Sequence, residues 1–218
     1  MELNAYIDHT LLVATATPEA ICKLCDEAKN HSFYAVCVNS CNVYLASNEL
    51  HNSEVKVVAT IGFPLGASST KSKREEAKRC VKDGADEIDM VLNIGYLKQN
   101  LYKNIREEIA AVKKIIGKKI LKVIIETCYL EEDEKRIACQ IAAKAGADFI
   151  KTSTGFGPGG ATIDDVKLII EEVGENLKVK ASGGIKDRKT ALEYINLGVS
   201  RIGTSNGIAI VAPSYTNN

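Results

Sequence analysis

The chain has 218 residues, 45% of them hydrophobic and 26% charged, with 28 basic against 28 acidic side chains. Length and composition fit one globular domain with a sizeable core, and a formal net charge of +0 excludes a broadly basic surface for nucleic acid or an anionic membrane. No apolar run reaches spanning length and Met1-Glu2-Leu3-Asn4 does not open like a signal peptide, so the seven cysteines are expected as free thiols in a reducing, cytoplasmic compartment.

The predicted elements alternate from the start. A strand near 6–10 is followed by a helix over 18–30, where Thr17 precedes Pro18 as cap and first-turn proline. Cys22-Lys23-Leu24-Cys25 lies inside that helical pattern with Ile21 and Ala28, where cysteine is a small core hydrophobe rather than a metal ligand. No second C-x-x-C and no paired histidines complete a zinc set. Strands follow near 33–38, 55–61, 87–92, 121–127, 149–152, 177–182 and 201–203. The helices between them fall near 41–50, 70–83, 101–116, 131–145, 162–173 and 187–197, with a short one at 206–211. Three of the junctions repeat a motif: Asp83-Gly84-Ala85-Asp86, Ala145-Gly146-Ala147-Asp148 and Leu197-Gly198-Val199-Ser200. Each stops a helix on glycine and enters a strand at once. Eight such units predict a single-domain (β/α)8 TIM barrel over 1–218, with a polar tail over 213–218. The rival open sheet is disfavoured because no G-x-G-x-x-G follows the first strand.

In a barrel of this kind the chemistry collects at the C-terminal ends of the strands. The ends here carry Asp8-His9-Thr10, Cys37 and Asn39, Asp89, Lys122 with Glu126-Thr127, Lys151-Thr152, Lys180 and Ser182, and Gly203-Thr204-Ser205. Lys151 follows apolar Phe149-Ile150 and precedes Thr152-Ser153-Thr154-Gly155. Burial and a second ammonium both favour a neutral, nucleophilic amine, and Lys180 is the expected neighbour. Lys178 shares the face of Lys180 but starts the strand, so it is the poorer candidate. Asp89, an acid inside the apolar run Ile88-Asp89-Met90-Val91, is costly to bury unless paired and is expected to face the lysines. Gly183-Gly184 with Lys186, Gly203-Thr204-Ser205 and Gly155 are expected to form an anion site of backbone N–H groups.

Six segments in this order resemble the 2-deoxyribose-5-phosphate aldolase family of class I aldolases: Tyr6-Ile7-Asp8-His9-Thr10, Ile61-Gly62-Phe63-Pro64-Leu65-Gly66, Gly84-Ala85-Asp86-Glu87-Ile88-Asp89, Lys122-Val123-Ile124-Ile125-Glu126-Thr127, Phe149-Ile150-Lys151-Thr152-Ser153-Thr154-Gly155 and Lys178-Val179-Lys180-Ala181-Ser182-Gly183-Gly184. The resemblance implies reversible cleavage of 2-deoxy-D-ribose 5-phosphate to D-glyceraldehyde 3-phosphate and acetaldehyde, with neither metal nor other cofactor. It implies Lys151 as Schiff-base nucleophile, Lys180 as its tuner and Asp89 as proton donor and acceptor through water. Asp8 and Lys122 would shape the site; Thr152, Gly155, Gly183, Gly184, Lys186, Gly203, Thr204 and Ser205 would contact substrate. Two positions depart from the family pattern. Phe156 stands where some members carry lysine, and Tyr215 is the nearest match to a terminal tyrosine that folds into the site of some members. Cys37 matches a cysteine near the pocket in part of the family, expected as modifiable rather than catalytic. The partner is a small phosphosugar, and the sequence leaves assembly open between a monomer and a homodimer or other homo-oligomer. Two alternatives stand beside this: a different phosphosugar aldolase, and a non-catalytic phosphate-binding barrel that would gain nothing from clustered ammonium groups.

Overall fold

A computed structural model describes residues 2–212, so the tail over 213–218 and Tyr215 lie outside the described residues. Eight parallel strands close into a barrel in chain order: β1 Ile7–Leu11, β2 Ala35–Asn39, β3 Lys56–Ile61, β4 Glu87–Val91, β5 Ile120–Ile124, β6 Phe149–Lys151, β7 Lys178–Ser182 and β8 Arg201–Thr204. β8 closes on β1 with Ile202 opposite Ile7 and Gly203 opposite Asp8. The helices are α1 Pro18–Asn30, α2 Val43–Glu49, α3 Thr70–Lys82, α4 Ile94–Lys98, α5 Tyr102–Ile116, α6 Glu132–Lys144, α7 Ile163–Val173, α8 Arg188–Leu197 and α9 Gly207–Val211. None in the described residues is long and apolar enough to cross a membrane.

Strand alternation sorts the side chains. Ile88 and Met90 of β4 join the large core under the helices, as do Val36, Val38, Ala59 and Ile61. The opposite parity points into the barrel, where Cys37, Val58, Ala35 and Leu12 form a small apolar cluster and the charged residues gather. Side-chain oxygens of Thr17, Ser69, Thr162 and Asp187 cap α1, α3, α7 and α8, each contact worth about 1 kcal/mol. The expected helix ends therefore agree with the observed ones to within a residue or two.

Three differences from the sequence expectation matter. The fifth strand stops at Ile124 instead of continuing to 127, because Glu126 adopts a left-handed φ of 53° and Thr127–Tyr129 turn into a 3-10 helix. The sixth stops at Lys151, one residue early. The short α4 was not expected; Asn93 caps it by accepting the Tyr96 N–H, and Gly95 within it disguises the pattern.

Candidate active site

The barrel interior holds a cluster of buried charges. Adjacent strands supply them in register: Asp89 of β4 lies opposite Lys122 of β5, and Lys151 of β6 opposite Lys180 of β7. The Asp89 carboxylate accepts from Lys122 at 2.8 Å on one oxygen, and from Lys151 at 3.0 Å and Lys180 at 2.9 Å on the other. Lys180 also meets Asp8 at 2.5 Å, and Lys122 meets both Asp8, at 3.9 Å, and Glu87. Asp8, Asp89, Lys122 and Lys180 are fully buried.

Below them, Tyr34 donates its hydroxyl to Glu87 at 2.9 Å, and the Arg201 guanidinium lies 3.3 Å over the Tyr34 ring. Arg201 Nε stands 3.7 Å from Asp8. Sequence reasoning missed Glu87, Tyr34 and Arg201, since strand-start residues read as remote from a site at the other end. Lys178 sits exposed at this lower end, its Nζ 6.0 Å from the Phe149 ring, and takes no part in the upper cluster.

Burial alone would push the Asp89 carboxyl up, but Lys122, Lys180 and Lys151 hold it well below the usual carboxylate range. Asp89 is thus a carboxylate at neutral pH. Burial would push the Lys180 ammonium down, yet Asp8 and Asp89 override it and hold it above the usual lysine range. Lys122 is likewise raised against its burial, chiefly by Asp89. Asp89 faces the lysines as expected, and Asp8 and Glu87 add further carboxylates between the amines. Cys37, also buried here, has its thiol pushed up by burial, which makes it a poor nucleophile.

Above the cluster opens a cavity of about 220 Å³ at the C-terminal ends of the strands. Lys151 is the one residue of the lysine cluster that lines it. The walls come from Thr10–Val13 of the first loop, Thr154-Gly155-Phe156, Ser182–Lys186 and Gly203–Asn206. The glycine loops after β6, β7 and β8 thus converge on one cavity. Gly155, Gly183 and Gly184 all take left-handed φ values, 85°, 87° and 81°. A Cβ at Gly155 or Gly184 would meet no atom within 4 Å, whereas one at Gly183 would strike Gly160 Cα at 2.9 Å. Gly183 is thus a packing glycine as well as a wall. Phe156 packs edge-on against Phe63, ring centroids 5.3 Å apart, at the mouth. Lys186 and Ser205 are exposed at the same rim.

The remaining expected site residues fall at different depths. Thr152 lines no part of the cavity: alternation turns it away from Lys151, and its hydroxyl donates to Ser182 O and accepts Ser182 N–H, both at 3.1 Å. Asp8 and Lys122 lie beneath the cavity floor, engaged with the other buried charges. The Thr204 hydroxyl is spent on Ile185 O at 2.7 Å and Asn206 N at 2.9 Å, although the residue does line the wall. Gly203 lines it too, and its missing Cβ makes room for Lys180, whose Cε would stand 3.0 Å from that atom. Among the described residues, no group of three or more His, Cys, Asp or Glu is placed to hold a metal ion.

A cavity-facing amine over a carboxylate and two further ammonium groups suits attack on a carbonyl, and comparison with known proteins gives the family. The profile described as DeoC/LacD family aldolase matches residues 3–211. This chain belongs to the DeoC/LacD family of aldolases. It is a carbon–carbon lyase of that family, similar to several proteins named deoxyribose-phosphate aldolase. The one from Coprothermobacter proteolyticus is 56% identical over 97% of this chain and 96% of its own length. The one from Thermococcus kodakarensis is 55% identical over 96% of each. Among solved structures, an aldolase designated QR15 superposes with a TM-score of 0.94 at 43% identity, covering 97% of this chain and 95% of that one. A deoxyribose phosphate aldolase from Aeropyrum pernix, described as a tetramer, superposes with a TM-score of 0.88 at 28% identity, covering 96% and 89%.

Proposed function

We propose that this family member cleaves 2-deoxy-D-ribose 5-phosphate reversibly to D-glyceraldehyde 3-phosphate and acetaldehyde through an imine on Lys151. The supporting observation is that Lys151 is the cavity-facing amine of three buried lysines around Asp89. Its nitrogen attacks the C1 aldehyde of the open-chain sugar, and water leaves as the imine forms. The protonated imine is an electron sink. The C3 hydroxyl gives up its proton, the C2–C3 bond breaks, and its electron pair moves into the imine to give an enamine. Glyceraldehyde 3-phosphate departs, the enamine carbon takes a proton, and hydrolysis releases acetaldehyde and the free amine. Asp89, held as a carboxylate, accepts the hydroxyl proton through a water molecule and returns it to the enamine. Lys180 remains an ammonium that fixes Asp89 in place. The glycine loops hold the phosphate, whose remote binding energy positions the reacting carbons.

Borohydride added with acetaldehyde tests this. Peptide mapping is expected to find a reduced two-carbon adduct on Lys151, and Lys151→Leu is expected to take up none. An adduct confined to Lys180 would overturn the assignment. We propose a homo-oligomer on the strength of the Aeropyrum pernix relative, which is described as tetrameric.

A further inference from the structure

We propose that Glu126 is a positioning residue for the phosphate end of the cavity, acting through Thr154 on the loop between β6 and α7. The proposal rests on the aldolase reading above for its substrate, not for its geometry.

Glu126 is a left-handed glutamate, φ 53°, in a region that side chains other than glycine, asparagine and aspartate enter mainly when their surroundings impose it. It is 2% exposed and follows directly on the apolar run that forms β5. Its carboxylate makes no ion pair with the lysine cluster. Instead it accepts the Thr154 N–H at 3.1 and 3.3 Å on its two oxygens, and the Thr154 hydroxyl as well. The same hydroxyl oxygen accepts the Phe156 N–H at 3.0 Å. Carboxylate, hydroxyl and amide thus form a relay that fixes residues 154–156.

All three of those residues line the cavity, while Glu126 does not. Between them Gly155 holds φ 85° with open space where a Cβ would be, so its backbone faces the void. The returning leg of the loop packs on the same carboxylate: a Cβ at Gly157 would stand 3.3 Å from Glu126 Cδ and 2.9 Å from Cys128 Sγ. One buried carboxyl group thus holds the outgoing leg of the glycine loop by hydrogen bonds and packs against its returning leg. An anion site built from backbone N–H groups works only if those groups are held in place before the anion arrives.

The test compares Glu126→Gln, Thr154→Val and the double variant in the full-length protein. Glutamine replaces one of the two accepting oxygens with an NH2 group that can only donate; valine keeps the shape and the N–H of Thr154 but loses the hydroxyl. For each variant, kcat/KM for 2-deoxyribose 5-phosphate is expected to fall about tenfold, the scale of one hydrogen bond to a charged group, mainly through KM. The fall for unphosphorylated 2-deoxyribose is expected to be much smaller. The double variant is expected to lose no more than the worse single one, since both break one relay. Equal losses on both substrates, or unchanged KM values, would overturn the proposal. Calorimetric titration with inorganic phosphate gives a readout that needs no turnover. Binding weakened about tenfold in Thr154→Val supports the relay, and unchanged binding sinks it. A wild-type protein that cleaves neither sugar would sink the aldolase reading alone, with the phosphate titration still deciding the role of Glu126.

Discussion

Gly203→Ala is a small change that should disable the site without replacing a charged group. Gly203 sits on β8 between Asp8 of β1 and Ser182 of β7. A Cβ there would lie 2.9 Å from Ser182 Cβ and 3.0 Å from Lys180 Cε. Carbon atoms settle about 3.5–4.0 Å apart, so the contacts must open by roughly 0.5–1 Å. Ser182 is held in its strand and its hydroxyl donates to Ser153 O at 2.7 Å, so the flexible end of Lys180 must take part of the shift. That end carries the ammonium bonded to Asp8 and Asp89. A misplacement of about 1 Å near reacting groups costs on the order of 10²-fold in rate, so kcat for glyceraldehyde 3-phosphate release should fall by about one to two orders of magnitude. Overpacking costs about 1–3 kcal/mol, or roughly 2–4 °C in Tm per kcal/mol for a domain of this size, so the variant should remain folded at 25 °C. Gly117→Ala is the control: it forces a side chain into φ 64° where a Cβ meets nothing within 4 Å, on the turn before β5. It should lower Tm and leave kcat alone. Wild-type kcat in Gly203→Ala, or an equal loss in Gly117→Ala, would refute the reasoning.

Gly184→Ala should raise KM for the phosphorylated sugar more than for 2-deoxyribose, because its Cβ would project from the cavity wall into open space; equal effects would show that this loop does not read phosphate. EDTA should leave activity intact, and a loss restored by a divalent metal would count against imine chemistry. Stability should also depend on pH at both extremes. Asp89 is depressed in the folded state, so its contribution is present above its unfolded pKa of about 3.9 and is lost as pH falls toward its folded value. Lys180 is raised, so its contribution is full below about pH 10.4 and is lost as pH rises through its folded value. Thermal melts of Asp89→Asn should start from a lower plateau and show a shallower acid limb; an unchanged limb would mean that other carboxylates control acid unfolding.

Much of the fold could be read from the sequence because its signals are local. Thr17-Pro18, Thr162 and Asp187 start helices by accepting hydrogen bonds from N–H groups three residues on, and the Gly84, Gly146 and Gly198 stops work through left-handed φ values of 105°, 86° and 109°. Lys151 and Lys180 were legible because a charged residue at the end of an apolar strand is conspicuous. What escaped depends on contacts across strands. Nothing in Ile124-Ile125-Glu126-Thr127 signals that the backbone reverses its handedness at Glu126; the reason is Thr154, 28 residues on. The resemblance implied Thr152 as a substrate contact, yet alternation turns it to the face opposite Lys151. Glu87 and Arg201 were not picked out, since both stand at the starts of their strands. The tilt of the strands carries their side chains into the same network as Asp8 and Lys122.

That network explains why so many charges are tolerated in the dry centre of the barrel. Removing one member of a buried ion pair typically costs about 3–5 kcal/mol, because it strands the partner, so the cluster stands or falls as a unit. Among the described residues that meet in it, Lys122, Lys151, Lys180 and Arg201 face Asp8, Glu87 and Asp89, leaving one formal positive charge in excess. The carboxylate contacts are shared unequally. Lys122 has three, Lys180 two and Lys151 one, and that one is an oxygen shared with Lys180. The amine with the fewest partners is also the one that lines the cavity. The least-paired nitrogen therefore lies at the top of the network, beneath the glycine loops that line the cavity. The better-paired lysines below keep Asp89 ionised and in place.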